Sequence, residues 1–291
     1  MVVTAEGAGR RASIRTLPSN MAVPPVPPLD PLDARALATR AARLVPPLSI
    51  EVLDECPSTS SVLLERSGAG APSGSVVACE HQSAGRGRRG NPWVCAPGGS
   101  LAFSLLWRFD RGPAALAGLS LAVAVLSVRG LEREGISGVQ VKWPNDLVHG
   151  GRKLGGILVE VSGEGAGPSA AVIGVGLNVR LDPAARERIG EPVSDLAACS
   201  RSLPTRTALL GALLESLAAG LAGFGRDGFA PFRDEWERRH AWQGRRVALS
   251  VAGRRVAEGE AVGIAEDGSL MLRSPRGVER FHSGELSLRP A

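Results

Sequence analysis

The sequence predicts an α+β protein: a mixed sheet with flanking helices, followed by a small all-β unit. Three observations carry this. Apolar runs of strand length recur between residues 49 and 179, bounded by glycine, proline and polar turns. Longer stretches with helical spacing lie among and after them. From Gly244 to Pro290 only short alternating runs remain, separated by Gly, Asp and Pro turns, which is the pattern of a small barrel or sandwich. With 291 residues the chain can hold one large domain and one small one.

Residues 1–47 stand apart. They carry eight of the 21 prolines, and that composition predicts a disordered extension. Within it, Leu32 to Leu44 has the start signals of one short helix, with Asp30 as N-cap and Pro31 at the first helical position. No apolar signal core is present, and Met21 offers a second start. Next, Ser49 to Leu53 alternates as a strand. Ser58 or Thr59 can cap a short helix over Val62, Leu63 and Leu64 that Gly68 ends. Ser75 to Cys79 and Leu101 to Trp107 are apolar strands, and Pro113 to Glu134 has helical periodicity. Further strands are expected over Val139 to Trp143, Lys153 to Val161 and Ala170 to Val179, then helices over Thr205 to Leu221 and Phe229 to His240. The tail has four runs: Val247 to Val251, Val256 to Ile264, Leu270 to Arg273 and Val278 to Phe281.

Composition is ordinary for a globular protein: 44% hydrophobic and 22% charged. No run of 18 apolar residues occurs, and Leu116 to Val128 reads as a buried helix. The net charge of +5 suits an anionic substrate or an acidic partner domain as well as nucleic acid. Cys56, Cys79, Cys95 and Cys199 form no Cys-x-x-Cys pair, and Cys79 belongs in a strand core. His81, His149, His240 and His282 lack ligand spacing, so no structural metal is expected.

Two clusters carry chemistry. The first is Lys142-Trp143-Pro144-Asn145-Asp146-Leu147 followed by Lys153-Leu154-Gly155-Gly156-Ile157-Leu158-Val159-Glu160. It reads as a strand, a polar turn at Asn145 and Asp146, and a second strand. Pro144 stops the first strand, and the glycine pair marks a bulge or a close approach of ligand to backbone. The second is Glu80-His81-Gln82-Ser83-Ala84-Gly85-Arg86-Gly87-Arg88-Arg89-Gly90, a glycine-arginine loop between two strands. Such a loop wraps a phosphate, or is a basic patch for nucleic acid, or is plainly solvated. Its place at a strand end favours a ligand.

These clusters, with Ser58-Thr59-Ser60 before them and Gly174-Val175-Gly176-Leu177-Asn178 after them, resemble the biotin–protein ligases in order and spacing. Gly268 to Leu272 and Gly284 to Arg289 resemble that family's C-terminal unit, so the likeness covers roughly residues 48 to 290. The resemblance implies a class II aminoacyl-tRNA-synthetase-like, biotin/lipoate-ligase catalytic domain over 48–240 and an SH3-like β-barrel over 241–291. It implies ATP with Mg²⁺, biotin as substrate, and transfer to a biotin carboxyl carrier domain of acetyl-CoA carboxylase or a related carboxylase. Some members carry an N-terminal winged helix and act as repressors. Residues 1–47 are too short and proline-rich for that fold, so a cytoplasmic ligase is expected, monomer or homodimer, binding neither nucleic acid nor membrane. Two other readings stay open: a lipoate or octanoate ligase or transferase, and a biotin-sensing regulator.

The roles follow the same resemblance. Lys153, Arg88 and Asp146 are the expected catalytic residues. Ser58, Thr59, Ser60 and Gln82 would hold biotin's ureido ring, with Arg86, Gly87, Arg88 and Lys153 completing the biotin site. Gly85, Arg86, Arg88, Arg89, Asn145, Asp146 and Asn178 would face ATP or the adenylate. Arg86 and Arg88 would fork onto the α-phosphate, and Arg89 is a third contact or solvent-facing. Asp146 would face the adenylate, help hold Mg²⁺ or orient the incoming amine. Trp93 is expected as a lid over the adenine and Trp107 as core.

Overall fold

The computed structural model describes residues 30–284 and 286–290. A seven-stranded sheet, ordered β1-β2-β3-β7-β6-β5-β4, forms the larger unit. In chain order it contains α1 (Ala34–Ala41), β1 (Ser49–Cys56), α2 (Thr59–Gly68), β2 (Ser75–Gln82), β3 (Ser100–Phe109), α3 (Leu119–Arg133), β4 (Gln140–Lys142), β5 (Asp146–His149), β6 (Arg152–Gly163), β7 (Ser169–Asn178), α4 (Pro183–Ile189), α5 (Arg206–Asp227) and α6 (Arg233–Arg239). β1 and β2 are parallel and the other pairs antiparallel, so the sheet is mixed. The smaller unit has β8 (Arg246–Val251), β9 (Arg254–Ile264), β10 (Leu270–Ser274), β11 (Gly277–Phe281) and β12 (Ser287–Pro290). They form an antiparallel sheet ordered β11-β10-β9-β8-β12. The expected barrel is not closed among the described residues: no pairing joins β11 to β12.

Three elements differ from the sequence reading. The whole of 1–47 was expected to be a disordered extension holding one short helix, yet α1, which is that helix, packs on the fold and buries Leu37 and Ala41. Its N-cap is Asp33, whose side chain accepts from Ala36 N, and Asp30 instead accepts from Arg206 N. That leaves residues 1–29 of the predicted extension outside the described residues. The stretch from Pro113 splits into a 3₁₀ turn and α3, because Gly118 between them has φ +81°. Likewise the stretch from Phe229 is a 3₁₀ turn (Ala230–Phe232) running into α6.

One core runs through both units. It joins α3 and α5 to one face of the large sheet and continues into Val247, Leu249, Ile264 and Leu270. Two polar contacts fix this junction. The fully buried Trp143 donates from Nε1 to Gly268 O at 3.1 Å. A Cβ on Gly268 would sit 3.0 Å from Gly118 Cα, so the turn before β10 needs a residue without one. Near α1, Arg206 is 1% exposed and bonds Glu80, Ser100 O and Asp30 O. A buried guanidinium tolerates this because every face has a partner.

Candidate active site

Register places the site. Directly opposed residues on neighbouring strands point to the same face. One such row runs Ala102 on β3, Gly176 on β7, Gly156 on β6, Asp146 on β5 and Lys142 on β4. The next row holds Ser104, Gly174 and Leu158. The face is therefore a trough floored by small residues, with hydroxyls toward one end and charges at the other. A cavity of about 440 Å³ stands over it.

At the charged end the sequence reading needs one correction. Asn145 and Asp146 are not both turn residues followed by the next strand, because β5 intervenes and Asp146 begins it. The expected turn is present over 143–145, between the paired Lys142 and Asp146, and a second turn lies later, at Gly150 and Gly151, with φ +56° and +74° between the paired His149 and Arg152. Two successive positive-φ residues are what a tight hairpin needs. The bulge expected near the glycine pair is present: register shifts between Leu147 and Val148, so Lys153 opposes Val148. Without that shift Lys153, three residues before Gly156, would point to the opposite face. With it, Lys153 Nζ lies 3.3 Å from Asp146 Oδ1, while Lys142 Nζ lies 3.0 Å from Oδ2. Burial alone would raise the Asp146 carboxyl, but the two ammoniums outweigh it and hold it below the usual carboxylate range. Burial lowers Lys142 against the pull of Asp146, and its ammonium also stands 5.7 Å from the Trp242 ring centre.

At the other end, α2 begins over the trough. Ser58 is its N-cap but makes no side-chain capping bond. The nearby groups are engaged across the fold instead. Thr59 N–H donates to Gln82 Oε1 at 2.8 Å, and Thr59 Oγ1 donates to the same oxygen at 3.2 Å. Ser104 Oγ is 2.8 Å from Thr59 Oγ1 and 3.0 Å from Ser60 Oγ. All of these are buried. Gly174 permits the approach, since a Cβ there would stand 2.5 Å from Ser60 Oγ.

The glycine-arginine loop folds across the trough, closed by pairing of Arg86 with Pro92 and by Trp93 N–H donating to Gly85 O. Arg86 pairs with Glu160 on β6. Arg88 donates to Asn145 Oδ1 at 3.3 Å and to the carbonyls of Ser283 and Gly284 at 3.2 and 3.0 Å. Burial draws its guanidinium below the usual range. Asn145 also donates to Ile157 O at 2.7 Å, so its amide ties β6 to the loop.

Ser58, Thr59, Ser60, Gln82, Arg86, Gly87, Arg88, Arg89, Asn145, Asp146 and Lys153 all line the cavity. Two expected residues do not. Gly85 is packed behind it, where a Cβ would meet Trp93 O at 2.5 Å. Asn178 is 2% exposed and donates to Ser194 O at 3.0 Å; Ser194 N–H in turn donates to Lys153 O at 2.8 Å. Asn178 thus supports the strand that carries Lys153. Trp107 is core. Trp93 lines the cavity and lies on the sheet, where a Cβ on Gly176 would be 2.5 Å from its Cε2. Sequence reasoning did not assign Ser104, Lys142, Glu191 or Arg289 to the site, and the last three line its charged end. Among the described residues, six cationic side chains and two carboxylates, Asp146 and Glu191, line the cavity. That balance favours a polyanion at this end.

Comparison with known proteins agrees with this geometry. The Biotin/lipoate A/B protein ligase family matches residues 52–178, and the Biotin protein ligase C terminal domain matches residues 244–289. The Bifunctional ligase/repressor BirA of Escherichia coli is 36% identical over 243 residues, covering 84% of this chain and 75% of that protein. The Biotin--[acetyl-CoA-carboxylase] ligase of Paracoccus denitrificans is 34% identical over 215 residues, covering 72% of this chain and 88% of that protein. A solved biotin protein ligase from Aquifex aeolicus, in complex with biotin and ATP, superposes with a TM-score of 0.71 at 27% identity. It covers 83% of this chain and 99% of that one. A trough with hydroxyls at one end and lysines at the other, closed by a glycine-arginine loop and joined to a second β unit, thus places this chain in the biotin–protein ligases, within the biotin/lipoate ligase family.

Proposed function

We propose that this protein activates biotin with ATP to biotinyl-5′-AMP, then transfers biotin to a lysine of a biotin carboxyl carrier domain. The observation that carries the reading is the polarity of the trough. Buried hydroxyls and the Gln82 amide suit an uncharged ring with donors and acceptors. The lysine–arginine end suits a carboxylate meeting a triphosphate. The glycine floor between them leaves room for a chain linking the two.

In the first step a biotin carboxylate oxygen attacks the α-phosphorus, and the bond to the β-phosphate oxygen breaks, releasing pyrophosphate. Lys153 and Arg88 offset negative charge that grows on the α-phosphate, while the folded loop excludes water from the anhydride. In the second step the carrier lysine amine attacks the anhydride carbonyl and AMP leaves. Asp146, ionised near neutrality, is placed to orient that incoming amine. No enzyme-bound acyl group is required, so positioning and charge supply the catalysis. Both Asp146 oxygens already face ammonium groups, and among the described residues no cluster of three His, Cys, Asp or Glu could hold an ion. Mg²⁺ would enter with the MgATP substrate, held chiefly by its phosphates.

The test is to incubate the protein with biotin, MgATP and a carrier domain and read the acceptor's intact mass. A gain of one biotinyl group that needs ATP, and falls at least about a hundredfold in rate in Lys153→Ala, supports the reading. A gain with lipoate instead of biotin would move the protein to the lipoate branch of the family.

A further inference from the structure

Ser104 has no exposure, does not line the cavity, and bonds only to the two hydroxyls of α2. Hydrogen-bond directions in this cluster are fixed by one obligatory donor. Thr59 N–H can only donate, so the Gln82 atom that receives it is the carbonyl oxygen. That oxygen can only accept, so the Thr59 hydroxyl hydrogen points at it. Thr59 Oγ1 has then spent its hydrogen and must accept from Ser104. Ser104 has spent its own in turn and must accept from Ser60. The hydrogens run one way: Ser60 to Ser104 to Thr59 to Gln82.

We infer that Ser104 is a positioning residue that sets the polarity of the ring-binding end. Its place in the relay commits the Ser60 hydrogen inward, leaving Ser60 lone pairs for the cavity. The Thr59 N–H, by taking the Gln82 oxygen, leaves Nε2 as the donor of that side chain, which lines the cavity. An acceptor at Ser60 and a donor at Gln82 suit a ring carrying both N–H and C=O, as a cyclic urea does. A dithiolane ring has neither group, so it gains nothing from the relay. Loss of Ser104 frees the Ser60 hydrogen to rotate into the cavity, where it opposes a ligand N–H instead of receiving it.

The inference rests on the biotin reading, and the experiment separates the two. Biotin affinity is measured by calorimetry on wild type, Ser104→Ala, Ser60→Ala and the double variant, with desthiobiotin as a second urea and with the Michaelis constant for ATP. Thermal melts confirm that each variant folds. Ser104→Ala should weaken biotin and desthiobiotin alike by about tenfold and leave the ATP constant unchanged. In the Ser60→Ala background the same change should add little, because the relay has already lost its end. Unchanged biotin affinity in a folded Ser104→Ala would overturn the inference. So would additive losses, or a parallel loss for ATP, each of which marks general disturbance of the sheet. If wild type itself binds no biotin, the functional reading fails instead.

Discussion

A Cβ on Gly176 would stand 2.5 Å from Trp93 Cε2 and 2.7 Å from Cζ2. The indole rests on the sheet only because that methyl group is missing. Gly156, its neighbour across the ladder, is different: a Cβ there would meet Lys153 Cε and Trp93 Cζ3 at an ordinary 3.7 Å. The two floor glycines therefore predict opposite outcomes. Gly176→Ala should displace Trp93 and cost about 1–3 kcal/mol of stability, as overpacking generally does, with biotin affinity falling in step. Gly156→Ala should leave the melting temperature within a degree or two and act only by narrowing the trough. Melting curves of the two variants side by side check this, and equal destabilisation would mean Trp93 does not depend on Gly176. The wider lesson at this scale is that a glycine in a strand was readable from sequence as a close approach. What approaches it, the Trp93 indole tightly at Gly176 and loosely at Gly156, was not, since that depends on a loop returning from elsewhere in the chain.

Among the elements, β5 shows where the sequence was and was not legible. Asn145, Asp146 and Lys153 were recognisable as one site, and the ladder adds Lys142, so that two lysines stand 3.0 and 3.3 Å from the Asp146 carboxylate. The strand between them was missed because four residues carry little periodicity, although Gly150-Gly151 between His149 and Arg152 was a hairpin signal in plain view. Ser104 was hidden inside an apolar run, and only the register with Gly174 shows which face it takes. Asn178 followed the family's motif but bonds behind the wall. The element after α6 yields a pH prediction. His240 runs beside Val141, stacks on Trp236 at 4.6 Å, and is 4% exposed. Burial pushes its imidazole down to about 4 from an ordinary 6.5, opposed weakly by Gln243. A lowered folded value means that the unfolded chain binds the proton more readily. The stabilising difference is thus present above pH 6.5 and is lost as pH falls toward 4. Its size is roughly 3 kcal/mol. Chemical denaturation at pH 7 and at pH 4.5 should show that loss, and His240→Phe should flatten it. A variant that tracks wild type across this window would assign the acid sensitivity elsewhere.

Over the whole molecule, the two β units close the site together. Trp143 on the catalytic side is anchored to Gly268 of the smaller sheet, and Arg88 in the loop reaches the carbonyls of Ser283 and Gly284. Leu286 to Pro290 then run along the cavity rim, so the loop and the C-terminal strand form one continuous edge. The core crosses the junction through Val247, Ile264 and Leu270, which makes the anchor at Trp143 rigid. The Arg88 clasp is polar and half-buried, and it carries little of the fold. Its net bonds are worth on the order of 1–3 kcal/mol, small beside the core. Arg88→Gly should therefore leave a folded protein whose loop no longer holds to the C-terminal unit. A mixed anhydride made in such a site is open to water and free to leave before an acceptor arrives. Incubated with biotin and MgATP but no carrier domain, the variant should accumulate free biotinyl-adenylate and its hydrolysis product in solution faster than wild type, by about tenfold or more. Chromatography of the filtrate measures this directly. Release at the wild-type rate, from a variant with a wild-type melt, would show that the clasp does not retain the intermediate and that the trough itself is enough.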